Sequence, residues 1–336
     1  MSADRDAVRA RLLADAGWSD AEIAPLAGDA SFRRYFRLRR GQETAVLMDA
    51  PPPQENVRPF LSVAERLVGY GYSAPRVLAR DVAQGFLLLE DLGDDSFNRV
   101  LRSGGDEGSL YAAAIDVLVD LRRRPQAPGL PPFDEARILR EVGLVLDWFW
   151  PAQSGRPADP AMNEEYRSLW RSVVPAMRGD QDTMVLFDYH VDNLMWLPDR
   201  SGVRRVGLLD FQDAVWGPAA YDVVSLLEDA RRDVPDAIVG AMLERYGRAV
   251  DDPAAFAAAY AAVGAQRNAR IVGVFARLWL RDRKPQYLAL LPRVWRLLEH
   301  DLAHPALATL RAWFDRHVPS SARHQAPTPD RFRLPS

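Results

Sequence analysis

Three polar side chains on two nearby segments have the types and the spacing that phosphoryl transfer requires. Asp188 precedes Asn193 by five positions, and Asp210 follows Asn193 by 17; each segment comes directly after a short apolar run. Phosphoryl transfer from a metal nucleotide needs a carboxylate that accepts the proton of the attacking hydroxyl, and an amide and a second carboxylate that hold magnesium. These three residues supply that set.

The same residues also fit a simple interpretation as a turn between two strands. Asp and Asn are common in turns because their side chains bond to nearby backbone groups. Asp188 and Asn193 alone would therefore be a weak signal. The second segment, Asp210-Phe211-Gln212-Asp213, and the helical sequence on both sides favour the catalytic interpretation.

Composition restricts the class of protein and its partners. The 336 residues are 48% hydrophobic and 26% charged, as in an ordinary globular protein. The absence of cysteine excludes disulfides, thiolate catalysis and cysteine zinc sites. A net charge of −3 gives no basic field, so we expect small-molecule partners, no nucleic acid and no membrane. The longest uncharged stretch has 14 residues, fewer than the roughly 20 of a membrane span, and we expect a cytoplasmic monomer.

The elements that must position these residues follow from the hydrophobic period. The N-terminal part predicts a small antiparallel sheet with flanking helices: a helix over 3–16, strands over 31–39 and 44–48 with a turn at 40–42, a helix over 57–70, and strands over 76–81 and 85–90. The rest is mostly helical: helices over 110–123, 135–150, 164–177 and from Pro218 to about 318, with short strands at 184–187, 194–197 and 206–209. Residues 319–336 contain four prolines and predict a poorly ordered or surface-lying tail.

Several segments together resemble the aminoglycoside phosphotransferase-like kinases. They are GDASFRRYFRL, VLMDAPP, FLLLEDLGDDSF, FDYHVDNLMWL, VGLLDFQDAVWGPAAYDVVSLL and QRNARIVGVFARLWLRDRK, in order over residues 28–284. The resemblance implies an α+β, protein-kinase-like fold of two lobes. A nucleotide-binding lobe with a small antiparallel sheet would cover residues 1–91, and a mostly helical catalytic and substrate-binding lobe would cover 92–318.

Within this family the chain is most similar to kinases that phosphorylate the C1 hydroxyl of N-acetylmuramate and N-acetylglucosamine in bacterial cell-wall recycling. The resemblance implies ATP and Mg²⁺ as cofactors. It also implies roles for individual residues: Asp188 as catalytic base, Asn193 and Asp210 as magnesium ligands, and Glu90, Asp91 and Leu92 as a hinge whose backbone meets adenine.

Two positions depart from the family pattern. Leu186 stands where the family has a histidine, which predicts the loss of a hydrogen bond that steadies the catalytic loop. Met48 stands where a phosphate-binding lysine is usual, and the only lysine of the chain is Lys284.

Other residues are then needed at the phosphates. We expect Arg33 or Arg34 to bind the phosphates, because a guanidinium binds phosphate oxygens with two parallel N–H groups. We expect Glu65 to form an ion pair with that arginine. Ser31 closes Gly28–Ser31, the candidate phosphate-covering turn. An ordinary exposed position remains an open alternative for both arginines and for Glu65.

The substrate is expected at two places. One predicted helix carries Gln266, Arg267, Asn268 and Arg270. Its amides would bind sugar hydroxyls and an arginine would bind a carboxylate. The alternative is that these residues form an ordinary polar helix face. His190, Asp192 and Asp213 flank the catalytic residues, and His190 fits a loop strut equally well.

Two other functions stay open. Asp192 and Asp213 would suit the cationic substrate of an aminoglycoside or choline-like kinase, and Met48 would suit a nucleotide-binding pseudokinase.

Overall fold

The computed structural model describes residues 2–26, 32–330 and 332–333. The chain forms two compact units: Met1–Val117 with Asp188–Ala214, and Leu118–Phe187 with Val215–Ser336. The expected division lies at residue 91, whereas the first compact unit runs to Val117 and also includes Asp188–Ala214.

The first unit is built on a five-stranded antiparallel sheet with the order β1-β2-β3-β5-β4. Its elements are α1 (Ser2–Asp15), β1 (Glu22–Pro25), β2 (Arg34–Arg40), β3 (Glu43–Asp49), α2 (Arg58–Gly69), β4 (Val77–Asp81), β5 (Phe86–Glu90), α3 (Phe97–Arg102) and the beginning of α4 (Glu107–Arg122). Successive side chains of a strand face opposite sides. Ala45 and Leu47 of β3 therefore pack with Leu12 and Leu13 of α1, whereas Val46 lines a cavity.

The catalytic candidates belong to a hairpin joined to this unit. Its strands β7 (Leu194–Trp196) and β8 (Val206–Leu208) pair antiparallel and are numbered after β6 of the second unit. Single bridges connect Ser73 to Gly207 and Ser96 to Met195. These contacts bring residues 188–214 to the sheet despite the long sequence separation.

The second unit is mostly helical. Its elements are α5 (Glu135–Leu144), a π-helical turn (Val145–Phe149), α6 (Trp150–Ser154), α7 (Pro160–Met177), β6 (Asp182–Val185), β9 (Val215–Pro218), α8 (Ala220–Leu227), α9 (Asp236–Gly247), α10 (Pro253–Leu280), α11 (Leu291–Leu302), α12 (Ala308–His317) and α13 (Ser320–His324). Strand β6 pairs with β9. The long helix α10 packs on α5, α7, α8 and α11, and its small residues allow close approach.

The α+β, protein-kinase-like fold class is confirmed, with an antiparallel sheet and a helical remainder. Local differences have physical causes. The helix predicted over 135–150 contains the π-helical turn, and Pro218 ends β9 instead of opening a helix. The tail predicted to be poorly ordered or to lie on the surface contains α13, and its Phe332 is buried against Phe149, because burial of an aromatic ring is favourable. No helix of the described residues is both long enough and apolar enough for a membrane span.

Candidate active site

The segment before the catalytic loop is held by a buried carboxylate. Asp222, on α8, accepts hydrogen bonds from the backbone N–H groups of Leu186 (2.6 Å) and Phe187 (3.0 Å). Phe187 has a left-handed backbone (φ 77°), which costs about 1–2 kcal/mol for a residue with a side chain. Asp222 is buried and thus holds the backbone just before the catalytic loop with two hydrogen bonds.

The loop of residues 188–193 is closed by its own asparagine. The Nδ2 atom of Asn193 donates to the backbone oxygen of Asp188 at 3.0 Å and lies 3.3 Å from Nε2 of His190. The backbone N–H of His190 donates to the same carbonyl at 3.2 Å. His190 is buried, so the structure places it as part of the loop framework.

Asp210 lies next to Asn193. Its carboxylate oxygen Oδ2 is 3.5 Å from Asn193 Nδ2, while Oδ1 accepts a bond from Gln212 at 2.8 Å. Asp210 also has a left-handed backbone (φ 57°), a conformation that Asp and Asn tolerate best after glycine. A carboxylate and an amide side by side are oxygen donors of the kind that Mg²⁺ prefers when nucleotide phosphates complete its ligands. The residues present therefore fit that ion.

Only one of the two candidate arginines approaches this pair. Arg33 lies 3.7 Å from Asp210 and 3.7 Å from Glu55, and it is largely buried. Burial lowers the pKa of Arg33, but Tyr35 and the nearby carboxylates Asp210, Glu55 and Asp213 raise this pKa overall, so Arg33 keeps its positive charge.

The other residues expected at the phosphates lie elsewhere. Arg34 is 59% exposed and binds Asp49 at 2.6 Å. The expectation that Glu65 holds Arg33 or Arg34 is corrected: Glu65 binds Arg80 at 3.0 Å, because α2 turns it towards β4. Ser31 and the rest of the candidate turn at 28–31 lie outside the described residues.

A cavity of about 290 Å³ adjoins the candidate metal ligands. It is lined by Leu26, Tyr35, Arg37, Val46, Phe60, Pro75, Leu89, Glu90, Asp91, Leu92, Gly93, Asn193, Met195, Leu209 and Asp210. Apolar walls with a few polar groups at one end are typical of a small-molecule site. All three predicted hinge residues border it.

The hinge is fixed by charge. Arg37 binds Asp91 at 2.8 Å and Asp94 at 2.6 Å. Although burial raises the pKa of Glu90, hydrogen bonds from Arg76 and Arg200 hold it below its ordinary value. The sequence reasoning missed Tyr35 and Arg37 as lining residues.

A signal for them was present, because residues 33, 35 and 37 alternate along the strand predicted over 31–39 and would share a face there.

The helix face predicted to meet a sugar is largely internal. Gln266, Arg267 and Asn268 are buried. Gln266 donates to Glu141 at 2.9 Å, and Asn268 donates to both Glu228 and Asp301, at 2.7 and 2.9 Å.

Arg267, in the same row, donates to the backbone oxygen of Glu228 and to Ser225 Oγ, each at 3.1 Å. These three side chains therefore hold helices together in this structure, because α10 runs through the centre of its unit. Arg270, one turn on, is less buried.

The remaining candidates are nearer the surface. Asp192 is exposed and accepts a hydrogen bond from Asn98 of α3, and Asp213 is exposed with Arg33 as a charged neighbour. Among the described residues, no group of three or more His, Asp or Glu side chains is arranged to hold a metal ion. A metal site at Asn193 and Asp210 would depend on phosphate oxygens for its other ligands.

The fold is protein-kinase-like, with a small antiparallel sheet and a mostly helical remainder. Residues 22–259 match the sequence model of the phosphotransferase enzyme family, and the chain belongs to that family. It is an enzyme that transfers a phosphoryl group to a hydroxyl acceptor.

Relatives of known name cover almost the whole chain. An N-acetylmuramate/N-acetylglucosamine kinase of Caulobacter vibrioides is 39% identical over 96% of this chain and 99% of its own length. The kinase of the same name from Pseudomonas aeruginosa is 39% identical over 88% of this chain and 89% of its own. Among solved structures, a choline/ethanolamine kinase family protein from Mesorhizobium loti is similar with a TM-score of 0.62 at 16% identity, covering 96% of this chain and 99% of that one.

Proposed function

We propose that this chain is an ATP- and magnesium-dependent kinase that phosphorylates the C1 hydroxyl of N-acetylmuramate and N-acetylglucosamine, the amino sugars recycled from the bacterial cell wall. The observation that carries the chemistry is the side-by-side placement of Asn193 and Asp210, with the Asp188 loop bonded to Asn193, at the rim of the cavity. The sugar is inferred from four relatives at 35–39% identity, each named N-acetylmuramate/N-acetylglucosamine kinase.

In this proposal each residue has one task. Asp188 orients the sugar hydroxyl and accepts its proton as the sugar oxygen bonds to the γ-phosphorus and the bond to the ADP oxygen breaks. Asn193 and Asp210 would hold magnesium, which neutralises phosphate charge when bound. Arg33 would contact the phosphates in place of the missing lysine, and the hinge Glu90–Leu92 would border the adenine.

The test is ADP production with Mg²⁺ and ATP against free N-acetylmuramate, N-acetylglucosamine, an aminoglycoside and choline. We expect turnover with the two amino sugars. The methyl glycoside of N-acetylglucosamine blocks C1 and should give none. Turnover with the methyl glycoside would show that a hydroxyl other than C1 is phosphorylated. Turnover with choline or the aminoglycoside alone would show that the substrate is not an amino sugar of this kind.

The acidic residues Asp192 and Asp213 are the observation that favours a cationic substrate, and the same assay decides between the two classes. If none of the acceptors in the panel gives ADP production while nucleotide binding is preserved, the chain would be a pseudokinase.

A further inference from the structure

A glutamate of the loop after β3 stands beside the arginine proposed for the phosphates. Oε2 of Glu55 lies 3.7 Å from Nε of Arg33, and the two side chains are only 19% and 14% exposed. A contact of this length is a charge pair rather than a direct hydrogen bond. Because a partly buried pair is screened much less by salt than an exposed one, Glu55 can fix the position of the guanidinium.

The same carboxylate also holds the backbone next to Arg33. Oε1 of Glu55 accepts a hydrogen bond from the backbone N–H of Phe32 at 3.2 Å. The backbone N–H of Glu55 in turn donates to the backbone oxygen of Pro51 at 3.1 Å, which anchors the loop. Glu55 therefore contacts both the main chain just before β2 and the charged end of Arg33.

The other carboxylates near Arg33 are less suited to this task. Oδ1 of Asp210 lies 3.7 Å from Nη2 of Arg33, but Asp210 is also a proposed magnesium ligand. A carboxylate that binds a divalent cation attracts a neighbouring guanidinium less, because the charge of the ion opposes that attraction. Asp213 also acts on Arg33, but it is exposed, so solvent and salt screen its charge more.

We propose that Glu55 is a positioning residue of the nucleotide site, which holds the Arg33 guanidinium where the nucleotide phosphates would bind. This is the role expected of Glu65 from the sequence, whereas the structure pairs Glu65 with Arg80. The inference rests on the proposed function for the role of Arg33. A cation that is already held in place loses less conformational entropy on binding an anion, so Glu55 should increase the affinity for nucleotide.

The test is a double-mutant cycle measured by nucleotide binding, which requires no sugar. Calorimetry of the full chain with Mg²⁺ gives the Kd of a non-hydrolysable ATP analogue. Glu55→Gln keeps the length of the side chain and an oxygen that can accept from Phe32, but it removes the charge. We expect this variant to raise Kd about three- to tenfold. Glu55→Asp, which retains the charge on a shorter side chain, should give an intermediate Kd.

The double variant distinguishes a positioning role from a merely structural one. In an Arg33→Gln background, Glu55→Gln should change Kd by less than about twofold, because the arginine on which Glu55 acts is absent. Glu43→Gln removes an exposed carboxylate that pairs with Arg40 in the same sheet, and it should leave Kd unchanged. Additive effects of the Arg33 and Glu55 changes, or a wild-type Kd in Glu55→Gln, would overturn the positioning role.

The outcomes separate this inference from the proposed function. A wild-type Kd in Arg33→Gln would remove Arg33 from the phosphates, and the role of Glu55 would be overturned with it. A coupled loss of nucleotide affinity in the Arg33 and Glu55 variants, in a protein that phosphorylates neither amino sugar, would support the role of Glu55 and reject the proposed function.

Discussion

Asp188 follows Phe187, whose backbone is left-handed. The loop that begins at Asp188 is closed by a hydrogen bond from Asn193 to the backbone oxygen of Asp188. Strain of this kind persists only where neighbouring groups over-determine the conformation. The bonds from Leu186 and Phe187 to Asp222 do so here. The backbone that leads into Asp188 is thus fixed by hydrogen bonds on both sides.

Replacing Asp188 by alanine should reduce turnover by about 10²-fold or more, because a positioned general base is lost. Nucleotide affinity should change little, since the carboxylate is assigned to the acceptor hydroxyl. Steady-state kinetics and nucleotide titration measure the two effects. Asp199→Ala, an exposed aspartate of the same hairpin, is the matched control, and wild-type turnover in Asp188→Ala would remove this residue from the mechanism.

Arg33 and Arg34 provide a matched pair of adjacent arginines. Arg33→Ala should raise the KM for ATP and lower kcat, because its cation lies beside Asp210 and would act on the phosphates in both ground and transition states. Arg34→Ala should have a much smaller effect, since Arg34 binds Asp49. Initial rates over a range of ATP concentrations distinguish them. Equal losses, or none in either variant, would mean that another group replaces the lysine.

At the scale of elements, α10 depends on close approach to its neighbours. A Cβ atom added at Gly273 would lie 2.5 Å from the backbone carbon of Leu144, where α5 ends and the π-helical turn begins. The two helices can approach so closely because no side chain separates them at this crossing.

Gly273→Ala should therefore lower the free energy of unfolding by about 1–3 kcal/mol, because backbone has to move. Gly240→Ala is the control: its added methyl meets no atom within 4 Å on α9, and alanine should stabilise that helix by about 0.5–1 kcal/mol. Urea-induced unfolding measures both. A neutral Gly273→Ala would show that the crossing relaxes without cost.

At the scale of the whole molecule, a buried pair of acids links stability to pH. Glu228 and Asp301 share the amide of Asn268 and are both buried. Burial, and for Asp301 also the charge of Glu228, raises the pKa of each carboxyl above its ordinary value, that of Asp301 well above it. The folded protein therefore retains a proton at pH values where the unfolded chain has lost it.

The free energy of unfolding should then fall as the pH rises above about 4, the pKa of an unfolded carboxyl, until the raised folded pKa is passed. Asp301→Asn removes one of the two titrating groups at a similar side-chain volume, so the stability of this variant should depend less on pH. Urea unfolding of both proteins at pH 5 and pH 8 tests this. If the free energy of unfolding of Asp301→Asn changes between pH 5 and pH 8 as much as that of the wild type, the assignment to this pair is contradicted.

Much of the architecture can be read from local sequence. The alternation in β2 and β3 specifies which side chains share a face, and the hairpin turn at residues 40–42 follows from it. The spacing of Asp188, Asn193 and Asp210 is also local, because one hairpin carries all three. Period and turn chemistry depend on neighbours a few positions away, so one sequence is sufficient for them.

Tertiary structure alone decides which partners these elements meet. Glu65 turned out to bind Arg80, and the polar face of α10 turned out to be internal because several helices pack around it. Arg137 and Arg270 are 133 positions apart, yet both lie over Phe187. Periodicity identifies the face of a helix or strand but not the element that covers it, since that choice depends on packing between segments distant in sequence.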